Sequence, residues 1–150
     1  MGRLGKKIVG FRVTSEKTGD TKKFMPMVRD VVIKKKRKVV KAYADGAYDS
    51  RRNFNLLDEY GIEEPAIRLK KGASTLSHGS RLRRQEMLLL NRVGYEGWKK
   101  LKEYGKRWMA EIVFSAFKGI FGDTPMARRF LSQKAEVALK VMLYNKFMSF

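Results

Sequence analysis

Four residues in the C-terminal half are spaced for chemistry. They are Tyr104, Arg107, Glu111 and Lys118, at intervals of 3, 4 and 7. At ~100° per residue those intervals keep all four within one helical face. Helix formers and apolar residues fill positions 106–121, and Gly122 follows as a stop signal. On such a face a carboxylate holds a hard cation and the basic groups hold phosphates. The spacing also suits an ordinary i,i+4 surface pair between Arg107 and Glu111, worth ~0.2–0.5 kcal/mol. Trp108, Ile112, Phe117 and Ile120 give the segment a broad apolar surface for packing.

A second acid has a defined address. Residues 39–44 read Val-Val-Lys-Ala-Tyr-Ala, a short strand that delivers Asp45 at its C-terminal end. Open α/β sheets place their ligands at that end. Gly46 permits a tight turn, Ser50 caps a helix over residues 51–60, and Gly61 stops it. Asp45 equally suits a turn former before Gly46. Asp49 suits an acid favoured by the dipole at the start of the next helix.

Two motifs together resemble one family. The run Asp45-Gly46-Ala47-Tyr48-Asp49 has the form Asp-x-x-Tyr-Asp, and residues 104–118 have the form Tyr-x2-Arg-x3-Glu-x6-Lys. Both are similar to the acidic motifs of DDE-type insertion-sequence transposases, in family order. The resemblance implies a ribonuclease-H-like α/β fold, with Asp45 and Glu111 as catalytic and metal-binding acids. It implies Mg²⁺ or Mn²⁺, hard ions that keep several waters and bind phosphate, and no further cofactor. It implies hydrolysis of a DNA strand at a transposon end, then attack of the freed 3′-hydroxyl on target DNA. The family's first catalytic Asp lies on a strand ahead of residues 7–14, and residues 1–6 hold no acid. The expectation is therefore an N-terminally truncated catalytic domain that is not competent alone. Asp20 and Asp30, the alternatives for that acid, fall at or in the helix that follows.

The remaining elements support an α/β class with a helical C-terminal half. Residues 7–14 alternate and are rich in β-branched types, predicting a strand. Residues 15–19 form a polar turn. Asp20 and Thr21 open a helix running to about Val32, which Pro26 kinks or delays. The basic run 34–38 reads as a solvated connection or a phosphate contact. Another strand lies within residues 62–69. Residues 70–84 form a Gly/Ser loop flanked by Lys70, Lys71, Arg81, Arg83 and Arg84, expected to order on DNA. Beyond it come an apolar helical stretch at 87–90, a short helix at 95–101, and a last helix over 134–147 capped by Ser132. No linker divides the 150 residues, so one partial domain is expected.

Charge names the partner class. Lys and Arg number 34 against 15 Asp and Glu, a formal net charge of +19. Such a field favours nucleic acid. Tyr104, Arg107, Lys118 and the loop cations are the expected DNA contacts, on transposon ends and on target. A basic remnant that occupies transposon ends without cutting, and a structural protein of ribosomal type, fit the charge too. Asp45 and Glu111 separate the enzyme from the last of these. Cysteine is absent and His78 is the sole histidine, which excludes disulfides, thiolate chemistry and multi-histidine sites. No apolar run spans a bilayer. The expectation is a cytoplasmic, nucleoid-associated protein, with self-association through an exposed strand edge at residues 7–14.

Overall fold

A computed structural model describes residues 6–14, 19–73 and 78–150. Residues 1–5, the part of the expected turn at 15–18 and the part of the expected loop at 74–77 lie outside the described residues. The chain forms two compact units, Gly19–Arg107 and Met1–Thr18 with Trp108–Phe150.

The Gly19–Arg107 unit is built on one β-α-β segment. Strand β1 (Lys41–Ala44) pairs in parallel with β2 (Glu64–Ile67), in the register Lys41↔Glu64 to Ala44↔Ile67. Helix α2 (Arg51–Glu59) joins them. Its start is fixed by Ser50, whose Oγ accepts from the Asn53 amide at 3.2 Å. Its end is a Schellman turn: Gly61 takes φ 69°, its amide donates to Asp58, and the Ile62 amide donates to Leu57 at 2.8 Å. The turn also buries Ile62 in the same apolar cluster as Leu57.

Alternation along β2 divides the core. Ile67 joins Phe54, Leu57, Ile62, Leu69, Leu82 and Met87 in one cluster. Ala66 joins Trp98 and Tyr104 in another. The helices that close these clusters are α1 (Phe24–Arg29), whose Phe24 and Val28 pack on the first, and α3 (Arg81–Leu101). Gly94, at φ 71° and ψ 173°, breaks α3 into the two helical stretches that the sequence suggests.

Several expectations are corrected. Residues 7–14 form no strand; the Ile8 amide and carbonyl instead bond the Asn145 side chain at 2.7 and 2.8 Å. The strand edge expected to drive self-association is thus not there. The helix expected over 20–32 is three pieces: a 3-10 turn at Asp20–Lys23, α1, and a π turn at Asp30–Lys34. Pro26 falls in the first turn of α1, where a missing amide donor costs no helical bond. Residues 81–84 belong to α3 and not to a loop, because Ser80 is buried and Leu82 enters the core.

The second unit carries α4 (Trp108–Phe121) and α5 (Phe130–Phe147). Helix α5 starts at Phe130, ahead of Ser132, which therefore lies inside the helix instead of capping it. Phe117 meets Phe121 and Tyr144 at ring distances of 5.1 and 5.9 Å, and Val141 and Tyr144 are buried. Gly122 ends α4 at φ 82°, as expected.

Glu136 ties the connection between these helices to α5. It accepts from Lys140 Nζ at 2.6 Å and from the Met126 and Ala127 amides at 3.0 and 2.9 Å. The Lys140 bond first, then the two amides, hold its carboxyl down from the ordinary 4.5 to about 2. A lowered folded pKa gives stability that is present above the unfolded value and is lost as pH falls toward the folded one. The protection of the Met126 and Ala127 amides, taken relative to their intrinsic exchange rates at each pH, is expected to fall between pH 4.5 and about 2. Glu136→Gln is expected to remove most of that pH dependence; a variant that keeps the parent profile would refute the assignment.

Candidate functional site at the carboxyl edge of the parallel strands

Asp45 leaves β1 at its carboxyl end. Its side chain is exposed, and Oδ1 accepts from the Ala47 amide at 2.9 Å, capping the 3-10 turn Gly46–Tyr48. The pairing of Ala44 with Ile67 makes Asp45 and Arg68 the next residues out from the two strands. A Cβ at Gly46 would stand 3.3 Å from the Arg68 carbonyl oxygen. Glycine is what lets the Asp45 turn lie against the chain leaving β2.

Tyr104 links the two sequence motifs. It is buried, its hydroxyl donates to the Ala44 carbonyl at 3.0 Å, and its ring packs on Trp98 at 5.1 Å. The second motif therefore braces the residue just before the acid of the first. Burial raises the Tyr104 pKa, against the nearby positive charge of Arg107. That keeps the hydroxyl a donor. The Arg107 guanidinium lies 5.9 Å from the Tyr104 ring centroid, and Arg68 lies 5.2 Å from that of Tyr95. The carboxyl edge thus gathers Asp45, Arg68, Tyr104 and Arg107.

The expected helical face is corrected at this point. Tyr104 and Arg107 lie in a 3-10 turn, Tyr104–Arg107, and only Glu111 and Lys118 lie on α4. Glu103 takes φ 52°, which breaks the helical path before Tyr104, and the Ala44 bond with Trp98 packing draws Tyr104 inward. Arg107 closes one compact unit and Trp108 resumes the other. Within α4, Glu111 is exposed, and Lys118 lies 3.4 Å from Asp123 Oδ1 and 4.9 Å from the Phe114 ring centroid.

The cations expected on the loop separate into two groups. Lys70, Lys71 and Arg84 are exposed. Arg81 bonds Asp58, with Nε–Oδ2 at 3.2 Å and Nη2–Oδ1 at 2.5 Å, and that pair raises its pKa. Arg83 grips Asp49 bidentately, at 2.7 and 3.1 Å.

Sequence reasoning missed two buried carboxylates. Asp49, read as a helix-dipole acid, has a fully buried side chain held by Arg83 and by the Lys70 amide at 2.8 Å. Glu86 is buried too, accepting from Trp98 Nε1 at 2.9 Å and from Lys102 Nζ. The signal for Glu86 was its place between apolar neighbours Leu82 and Met87 on a helix, a position that demands partners.

Among the described residues, no group of three or more His, Cys, Asp or Glu side chains is gathered where a metal would be held. Asp45 fits as a single oxygen ligand: one amide uses one of its roughly four lone-pair positions, and the group is exposed. No described helix is long and apolar enough to cross a membrane.

An acid and two guanidinium groups at the carboxyl edge of two parallel strands, in a mostly helical chain of net charge +19, are compatible with a basic α/β class of protein. A family profile described as transposase DDE domain matches residues 2–146. The chain belongs to the transposase DDE domain family, the family that the resemblance implies. The family's enzymes act on DNA and typically use a divalent metal. No curated protein and no solved structure matched the chain.

Proposed function

We propose that this chain supplies the second and third acids, Asp45 and Glu111, of a ribonuclease-H-like transposase catalytic domain acting on transposon ends and target DNA. The observation that carries the reading is the Tyr104 hydroxyl on the Ala44 carbonyl, which joins the second motif to the strand end bearing the first motif's acid. Asp45 and Glu111 are the residues that would hold Mg²⁺ or Mn²⁺, and the ion would supply activation of the attacking oxygen and stabilisation of the leaving one. The protein's own groups orient and bind. Tyr104 fixes the strand end, Arg68 and Arg107 offer cations beside Asp45, and Lys70, Lys71, Arg84 and Lys118 hold the DNA backbone. Arg81 joins them only by giving up Asp58.

For the 150-residue polypeptide by itself, the second reading is favoured: DNA binding without strand cleavage or joining. Of the three acids that the resemblance calls for, these residues supply two at motif positions. Two carboxylates hold one hydrated dication weakly, not a pair in the geometry of in-line displacement. Incubation with supercoiled plasmid and with transposon-end duplexes in Mg²⁺ or Mn²⁺ is expected to give no nicking. Metal-dependent nicking that disappears in Glu111→Gln would show these residues sufficient. Because the chain has no cysteine, Asp45→Cys with Glu111→Cys supplies a sole thiol pair for spin labels. A short inter-label distance is expected; labels on remote faces would sink the shared site.

A further inference from the structure

We propose that Asp49 is a positioning residue whose buried carboxylate clamps the Arg83 guanidinium and the Lys70 amide, and thereby sets the path of the basic segment 68–71 past Asp45. The inference deepens the DNA reading above and rests on it.

The Asp49 carboxylate accepts from three protein donors, which take three of its roughly four lone-pair positions. Oδ1 accepts from Arg83 Nε at 2.7 Å, and Oδ2 accepts from Arg83 Nη2 at 3.1 Å and from the Lys70 amide at 2.8 Å. The Asp49 side chain has no exposed surface, and that of Arg83 is 13% exposed. A carboxylate committed to a planar fork and a backbone donor has no orientation left for a hydrated dication. Asp49 therefore shares a motif with Asp45 but has a different task.

That task follows from what the three groups connect. Asp49 ends the turn that Asp45 begins, Lys70 lies three residues beyond β2, and Arg83 lies in the first turn of α3. Asp45 and Arg68 leave neighbouring strands side by side, and the Gly46 turn touches the Arg68 carbonyl. At one end, then, residues 68–71 are fixed by the strand pairing. At the other they are fixed by the bond from the Lys70 amide to Asp49. The segment puts Arg68, Lys70 and Lys71 on the exposed side while its backbone is held from beneath. A duplex backbone lying on those cations is placed at a set distance from the Asp45 carboxylate. Without the clamp the cations remain, but the Lys70 end of the segment loses its anchor while the strand pairing and the buried Leu69 still hold the other end.

The test uses the full chain in two measurements: amide hydrogen exchange without DNA, and duplex DNA binding over a salt series. Asp49→Asn and Arg83→Lys are expected to speed exchange at the Lys70 amide at least tenfold. Exchange in the middle of α2 should stay as in the parent, which excludes general unfolding. Lys71→Gln is expected to lower the slope of log K against log salt by ~0.9, the value of one phosphate contact. Asp49→Asn is expected to lower it by at least as much, and adding Lys71→Gln to Asp49→Asn should lower it no further. Arg83→Lys, which keeps the charge but loses the fork, should give a smaller loss of slope than Asp49→Asn. Full additivity of Lys71→Gln and Asp49→Asn, or an unchanged Lys70 exchange rate, overturns the clamp. An unchanged slope in Lys71→Gln with faster Lys70 exchange in Asp49→Asn overturns the DNA reading at this edge instead. Should Asp49→Asn fail to fold, Arg83→Lys carries both measurements.

Discussion

Replacing Trp98 with alanine is expected to remove about 3–5 kcal/mol from the Gly19–Arg107 unit, the usual cost of deleting a buried large aromatic. Small domains hold only about 5–15 kcal/mol in total. The melting temperature should fall by roughly 4–8 °C for each kcal/mol lost. The physical reason is threefold. Trp98 is 1% exposed and fills the cluster with Ala66 and Tyr104. Its Nε1 satisfies the buried Glu86 carboxylate at 2.9 Å. Its ring also stands 5.1 Å from Tyr104, so its loss loosens the residue that braces Ala44. Trp98→Phe keeps most of the ring and loses the donor, so it should fall between the parent and Trp98→Ala. Calorimetry and circular dichroism decide the matter. A Trp98→Ala protein as stable as its parent would show that this cluster does not hold the site together.

Affinity for duplex DNA is expected to fall by about 10³–10⁵ between 50 and 200 mM salt, as for a protein making 6–10 phosphate contacts. The chain's +19 charge supplies the driving field. The structure sharpens which cations to remove. Arg83 is tied to Asp49, and Arg81 to Asp58, so both act first within the protein. Lys70, Lys71 and Arg84 are exposed. Changing these three to Gln should lower the slope of log K against log salt by about 2–3, at ~0.9 per phosphate. Changing Arg81 alone should lower it by less than one such contact. Fluorescence anisotropy with a labelled duplex reads both. A parental slope in the triple variant would show that this edge does not meet the DNA backbone.

The local signals around Asp45 were legible because each rests on residues a few positions apart. Ser50 caps α2 through a bond to Asn53, Gly61 takes the left-handed conformation that ends the helix, and β1 stops where Asp45 begins. The short helix expected at residues 95–101 is also present, and the structure shows that Gly94 separates it from the stretch before it. The strand expected at residues 7–14 was not legible in the same way. Its β-rich composition describes a chain that is fit to pair, and pairing needs a partner; here the Asn145 side chain, far along the sequence, takes the Ile8 backbone.

By itself, then, the sequence determined the family, through two motifs whose residue types and spacing survive without any knowledge of packing. It determined the charge, the absence of thiol chemistry, and the β-α-β turn residues that present Asp45. Tertiary structure alone decided which members of those motifs act on one another. Tyr104 and Arg107 share a helical spacing with Glu111 but part from its helix, because a buried hydroxyl with a carbonyl to satisfy and an indole to pack on outweighs the preference for one more helical turn. Asp49 and Arg83 lie 34 residues apart, and nothing in either one's neighbours announces the other. A buried charge must find its partner across the fold, and only the fold shows where that partner stands.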